Sequence, residues 1–214
     1  MSAEEFLPAG RLSLSKLRQA VQGCQGCDLY RGATQAVYGE GRAKAQVALI
    51  GETPGDVEDV EGHPFVGPAG RLLDRALHEL GADRSQVYLT NAVKHFRWRP
   101  AERGKRRIHQ TPTRTHIVAC RPWLVAELNL VSPRVLVALG SVVAQSLLGP
   151  AFRVTKSRGE VLPWPQSAEH PEDFRAADAV LVPTVHPSSV LRADDRDAAY
   201  IDFLKDLAVA FKAA

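Results

Sequence analysis

A chain of 214 residues with 45% hydrophobic and 24% charged side chains can bury a full core, and a single domain spanning residues 1–214 is expected. No apolar run approaches a membrane span, and the opening "MSAEEFLPAG" has neither the basic nor the apolar region of a signal peptide, so the expectation is a cytoplasmic protein without a membrane partner. A net charge of +3, from 27 Lys and Arg against 24 Asp and Glu, is too small to establish a polyanionic partner, which leaves the distribution of charge as the informative quantity.

In chain order, the first feature is "CQGC", with Cys24 and Cys27; the third cysteine is Cys120. In a cytosolic chain such a pair reads as a metal site, a cluster site or a redox pair before it reads as a structural disulfide. Four apolar runs follow: "QVALIGE" (46–52), "VYLTNAV" (87–93), "RVLVALG" (134–140) and "AVLVPTVH" (179–186). Continuous runs of this length suit strands covered on both faces, as in a parallel sheet.

Helical patterns separate the runs. In "PAGRLLDRALHELG", Leu72, Leu73, Ala76, Leu77 and Leu80 share a face, with Pro68 near the start and Gly81 after the end. A second helix is expected from about Thr113 to Leu130, with Pro122 as a candidate bend. "SVVAQSLLG" reads as a short helix with Ser141 as N-cap, and Tyr200, Leu204, Leu207, Ala208 and Phe211 recur at helical spacing near the end. The alternation predicts an α/β sandwich with helices on both faces. Gly, Pro and charge in 31–45 and 153–178 suggest loops or short edge pieces.

Between Arg97 and Arg121 the cations Arg97, Arg99, Arg103, Lys105, Arg106, Arg107, Arg114 and Arg121 are opposed by Glu102 alone. The stretch reads as a basic loop around "GKRRIH". It is either a solvated or nucleic-acid-clamping loop, or a holder for an anionic substrate on which His109 does chemistry.

Ligands of open α/β sheets bind beyond the carboxyl ends of the strands. There the chain is polar: Glu52 in "GETPGD", Asn91 in "NAVKH" and His186 in "VHPSS". Each alone is more simply a turn cap or a satisfied loop residue; three at matching strand ends favour a site. "GHPFVGPAG" either leads rigidly into the next helix or holds Phe65 as a surface on which a base stacks. "GETPGD" lacks a Walker lysine and G-x-G-x-x-G spacing, which disfavours a nucleotide-phosphate loop.

Taken together, "GETPGDVEDVEGHPFVGPAGRLLDRAL", "NAVKH" and "TVHPSSVL" resemble the iron-sulfur uracil-DNA glycosylases of family 4, and "KRRIH" resembles the UdgX branch of that family. The likeness runs from about Cys24 to Arg192. It implies a three-layer α/β/α sandwich around a central four-stranded parallel sheet. It implies cleavage of the bond between uracil and deoxyribose in DNA, with single strands an accessible substrate because extruding a base from a duplex costs more. A monomer is expected.

By this resemblance Phe65 stacks on an extruded uracil, Asn91 reads its polar edge, and His186 hydrogen-bonds O2 as charge moves onto the leaving base. Gly51, Thr53 and Asp56 complete the substrate-binding set, Ser188 and Ser189 hold neighbouring phosphates, and Glu52 assists at C1′. In the UdgX branch the loop histidine, here His109, attacks C1′ and stays attached. Lys105, Arg106 and Arg107 hold the loop against the sugar-phosphate backbone, and Arg107, two residues before His109, fixes it closed and is grouped with the catalytic residues. Where the branch has "GEQPGD" this chain has Thr53, a shorter side chain lacking the amide donor. Family 4 uses four cysteines for a [4Fe-4S] cluster. Here His95 stands after "NAVK" in place of one of them, which implies a set of Cys24, Cys27, His95 and Cys120. On spacing alone a structural zinc is the alternative.

Overall fold

A computed structural model of the chain describes residues 2–104, 106–164 and 178–214. Lys105, expected to touch DNA, and residues 165–177, part of the stretch expected to be loop or edge, lie outside the described residues. The elements run α1 (Leu14–Ala20), β1 (Glu40–Gly41), β2 (Val47–Gly51), α2 (Asp56–Glu61), α3 (Pro68–Glu79), β3 (Tyr88–Asn91), β4 (Trp98–Pro100), β5 (Arg107–His109), α4 (Arg114–Val131), β6 (Val135–Leu139), α5 (Ser141–Leu148), α6 (Val154–Ser157), β7 (Leu162–Pro163), β8 (Val180–Thr184), α7 (Pro187–Leu191) and α8 (Arg196–Ala213).

The four apolar runs are the four parallel strands, in the order β3-β2-β6-β8. Alternation along β2 sorts them into two faces. Val47 and Leu49 join Leu73, Leu77, Phe203 and Leu207 of α3 and α8, whereas Ala48 and Ile50 join Leu124, Leu128, Val143 and Leu147 of α4 and α5. This is the three-layer α/β/α sandwich expected, with an addition. Two-residue antiparallel strands, β1 beside β3 and β7 beside β8, make the main sheet six-stranded and mixed among the described residues. They lie in the stretches read as loop or edge. Gly41, at φ 128°, lies so close to Val87 O that a Cβ there would stand 1.9 Å from it.

Helix α4 starts where expected, with Thr113 and His116 forming a capping box. It continues through Pro122. Proline deprives the carbonyl four residues earlier of its N–H partner, and that residue, Val118, is 54% exposed, where water can take the bond. The N-terminal segment packs Leu17 and Val21 against Trp123 and Ala126 of α4 and thereby brings Cys24 beside Cys120.

The basic stretch departs from the expected loop. Trp98 pairs with His109, Arg99 with Ile108 and Pro100 with Arg107 in a two-stranded antiparallel ribbon. Its alternation puts Trp98, Arg107 and His109 on one face and Arg99 and Ile108 on the other.

Candidate active site

The carboxyl ends of β2, β3 and β8 open into a cleft of about 1100 Å³ lined by Glu52, Asn91 and His186, and the ribbon contributes Arg106, Arg107 and His109 to the same cleft. Backbone bonds fix the strand ends to one another: Ala92 N–H donates to Gly51 O (2.8 Å) and Val93 N–H to Glu52 O (3.0 Å). Gly51 does not line the cleft itself. A Cβ there would stand 2.3 Å from Asn91 Oδ1 and 2.6 Å from Phe65 Cζ, so glycine is what lets the amide and the ring approach each other.

Phe65 is buried at φ 54°, a left-handed conformation a bulky residue holds only under constraint. The constraint comes from Arg84, which donates to Phe65 O (3.0 Å) and Pro64 O (2.5 Å) and is itself held by Asp74 (2.8 Å). The ring lies stacked toward His186, with centroids 6.3 Å apart.

His186 is the N-cap of α7, and its Nδ1 accepts from Ser188 N–H (3.1 Å) with Ser188 Oγ also at 2.8 Å. Burial, aided by the neighbouring His109 and Arg192, lowers its pKa to about 4. The ring is therefore neutral near pH 7, and an accepting Nδ1 leaves the proton on Nε2. Ser189 Oγ donates to His186 O (2.7 Å). Both serines, expected to hold phosphates, thus spend their hydroxyls on His186.

Glu52 titrates unusually. Burial raises its carboxyl to about 7, opposed by a hydrogen bond from the Thr111 side chain and by Arg192. Among the described residues its Oε1 is buried without a partner. Thr53 also lines the cleft, but its hydroxyl donates away from it, to His95 O (2.8 Å).

On the ribbon, His109 is exposed at the rim and its ring lies against Phe96, centroids 6.0 Å apart. Partial burial and Arg192 lower its pKa, against a smaller opposite effect of Glu58. Arg107 sits beneath it with its guanidinium over Phe96 and Trp98. It donates Nε–H to Asp56 Oδ1 and Nη1–H to Asp59 Oδ2, each at 2.5 Å. Asp56, expected at the substrate, is thus engaged by Arg107. Asp59 is fully buried and also accepts from Thr34 N–H (2.9 Å) and Thr34 Oγ1–H (2.6 Å). Sequence reasoning missed Asp59, Glu58, Thr111 and Arg192. Asp56 and Asp59 stand at i and i+3 on α2, and that spacing was the available signal for a shared arginine.

Behind the cleft, Trp123 Nε1–H donates to Cys24 Sγ (3.2 Å) and Lys94 N–H to Cys120 Sγ (3.3 Å). Cys24 and Cys120 are buried and Cys27 partly so, the three thiols lie within electrostatic reach of one another, and burial pushes Cys120 up to about 12. His95 is buried, and burial lowers its imidazole pKa to about 4. Among the described residues no three His, Cys, Asp or Glu side chains stand close enough to hold one metal ion. Lys94 is fully buried and ion-paired to Glu127 (2.7 Å), which also accepts from Thr90 Oγ1–H (2.6 Å).

Residues 38–208 match the sequence profile of the uracil DNA glycosylase superfamily. The chain is 36% identical over 200 residues to a type-4 uracil-DNA glycosylase of Pyrobaculum aerophilum, covering 94% of each chain. It is 36% identical to the type-4 enzyme of Sulfurisphaera tokodaii (84% of this chain, 76% of that one). The type-4 enzyme of Thermotoga maritima is 35% identical, with 81% of each chain covered. No helix among the described residues is long and apolar enough to cross a membrane.

Proposed function

The chain belongs to the uracil DNA glycosylase superfamily, and from that premise we propose that it excises uracil from DNA and ends the reaction with His109 covalently bound to C1′ of the deoxyribose. Phe65 supplies the stacking surface for the extruded base, and the Asn91 amide, held beside it by Gly51, reads the uracil edge. As the bond from C1′ to N1 breaks, its electron pair passes to the uracil and spreads to O2. His186 is suited to meet that charge, because its Nδ1 accepts from Ser188 N–H, which leaves the ring's proton on Nε2 to donate to O2.

The sugar is left with oxocarbenium character. A nitrogen lone pair of neutral His109 forms the new bond to C1′, and the proton released from the resulting imidazolium passes to Glu52 or to water. A carboxyl at about 7 is matched to accept it near neutral pH. The N-alkyl imidazole has no easy leaving path, so the protein remains attached. The observation that carries the reading is the lining of one cleft by Glu52, Asn91, His186 and His109, with the last on a strand that Arg107 clamps to α2. Arg107 therefore acts as a positioning residue, and Lys105 and Arg106 are left to meet the DNA backbone.

The test mixes the protein with a uracil-containing single strand, assays free uracil and runs a denaturing gel. The covalent reading requires both release and a protein-DNA band that survives denaturation, the band disappearing in His109→Ser. Release without a band supports the second reading, a turnover enzyme like the type-4 relatives, which the shorter Thr53 favours. Equal binding of uracil and thymine strands without release would mark a non-catalytic nucleic-acid-binding module.

Behind the cleft, Cys24, Cys27, Cys120 and His95 are proposed to hold a [4Fe-4S] cluster in a structural role. Two N–H donors already reach the sulfurs, the kind of bond that supports thiolates and tunes such centres, and the His95 imidazole is neutral, as a ligand must be. The preference for a cluster over a structural zinc rests on the likeness to family 4, since either group can be held by three thiolates and an imidazole. A colourless, zinc-loaded preparation without iron or sulfide would reverse that choice.

A further inference from the structure

We propose, resting on the reading above, that Arg192 takes a DNA phosphate next to the extruded nucleotide and that this contact switches the cleft from a resting to a reacting charge state. Arg192 caps the end of α7 and lines the cleft with an exposed side chain. Among the described residues its guanidinium has no hydrogen-bond or ion-pair partner, whereas Arg84 is held by Asp74, Arg107 by Asp56 and Asp59, and Arg158 by Asp206. A free guanidinium at the mouth of a nucleotide-sized cleft fits phosphate, which it binds through two parallel N–H bonds.

Its surroundings make the contact more than an anchor. Among the described residues, the charged and titratable groups facing His109 from the elements around the cleft are Glu58 on α2, His186 at the start of α7 and Arg192 at its end, with Glu52 beyond β2 also facing Arg192 and Arg106 on the ribbon lining the same cleft. Arg107, on the same strand as His109, is neutralised by its two aspartates. In the free protein the Arg192 cation therefore favours neutral His109 and ionised Glu52, the forms in which the enzyme meets its substrate. Once the base leaves, positive charge must build at C1′ and then on His109, and an uncompensated cation beside them opposes it. A phosphate on Arg192 removes that opposition only when DNA is in place.

The experiment compares wild type, R192K and R192Q in two assays. Affinity for a single strand carrying a tetrahydrofuran abasic analogue, which has no base to release, is measured across a salt series. The slope of log affinity against log salt should fall by about 0.7 in R192Q, the amount due to one phosphate on a single strand, and be kept in R192K. The rate of uracil release is then followed against pH with DNA limiting and with DNA saturating. Losing the cation raises the pKa of both Glu52 and His109, so the acid limb of the limiting-DNA profile, which reports the free enzyme, moves to higher pH in R192Q. Under saturating DNA, where phosphate has already cancelled Arg192, the limb stays near wild type. An unchanged salt slope overturns the phosphate contact, and limbs that shift equally in both regimes, or in neither, overturn the switch. Failure of wild type to release uracil defeats the glycosylase reading instead.

Discussion

Glu52→Gln should make the protein more stable at alkaline pH while removing its activity. Burial raises the Glu52 carboxyl from 4.5 to about 7, a penalty on the charged form of about 3 kcal/mol at most. Partial solvent access lowers the expected value to about 1–3 kcal/mol. The folded pKa lies above the unfolded one, so the native state holds the proton more tightly. The stability this confers is complete below the unfolded value and is lost as pH rises through about 7. Glutamine has the same shape and no charge, so it escapes that loss. Urea unfolding of both proteins should show Glu52→Gln ahead at about pH 8 and level at about pH 4. On the same preparations, uracil release should fall by about 10²–10⁴, and wild-type release should decline as pH drops through about 7. A variant less stable than wild type at alkaline pH, or ahead by the same margin at both values, would refute the reasoning, because the carboxylate would then be held by partners rather than stranded.

Gly51→Ala places a Cβ 2.3 Å from Asn91 Oδ1 and should cut uracil release at least about tenfold, with circular dichroism unchanged; release at the wild-type rate would mean the pair does not read the base. Arg107→Ala removes both ion pairs that dock the ribbon. The denaturing gel should show adduct formation falling by about 10²-fold more steeply than uracil release, and parallel losses would deny the ribbon its separate role. Lys94→Met strands the fully buried Glu127 and should lower unfolding stability by about 3–5 kcal/mol, much of which Lys94→Met with Glu127→Leu should restore; a double variant no better than the single would locate the loss in packing.

The sheet was legible because its four parallel strands are buried on both faces and therefore carry unbroken apolar runs. The convergence of Glu52, Asn91 and His186 followed from strand-end position alone. The ribbon was not legible: Trp98, Arg99, Arg107 and Ile108 sit among glycine, proline and cations and read as a solvated loop, and the strands form because Arg107 finds Asp56 and Asp59 about fifty residues away in the chain. Asp59 was hidden for the complementary reason, since an aspartate in "DVEDVE" reads as a solvated helix face until the arginine that buries it is known. Ser188 and Ser189 show a limit of another kind. Residue type suggests phosphate, and the structure adds that a histidine two or three residues earlier in the chain is hydrogen-bonded to both hydroxyls at short range.

The cleft and the cysteine side of the molecule are built from one piece of backbone. Glu52 O accepts from Val93 N–H, Thr53 Oγ1–H donates to His95 O, and Lys94 N–H reaches Cys120 Sγ. Residues 93–95 therefore touch both the loop that presents Glu52 and the sulfur that would face a cluster. Thr53, which stands where the resembling branch has a glutamine, has a use in this arrangement that a longer side chain aimed into the cleft would give up. Its hydroxyl fixes the glutamate loop to the loop that carries His95, so two hydrogen bonds connect the His95 side of the molecule to Glu52. A structural cluster at that position would act on catalysis through the placement of Glu52, without itself approaching the sugar.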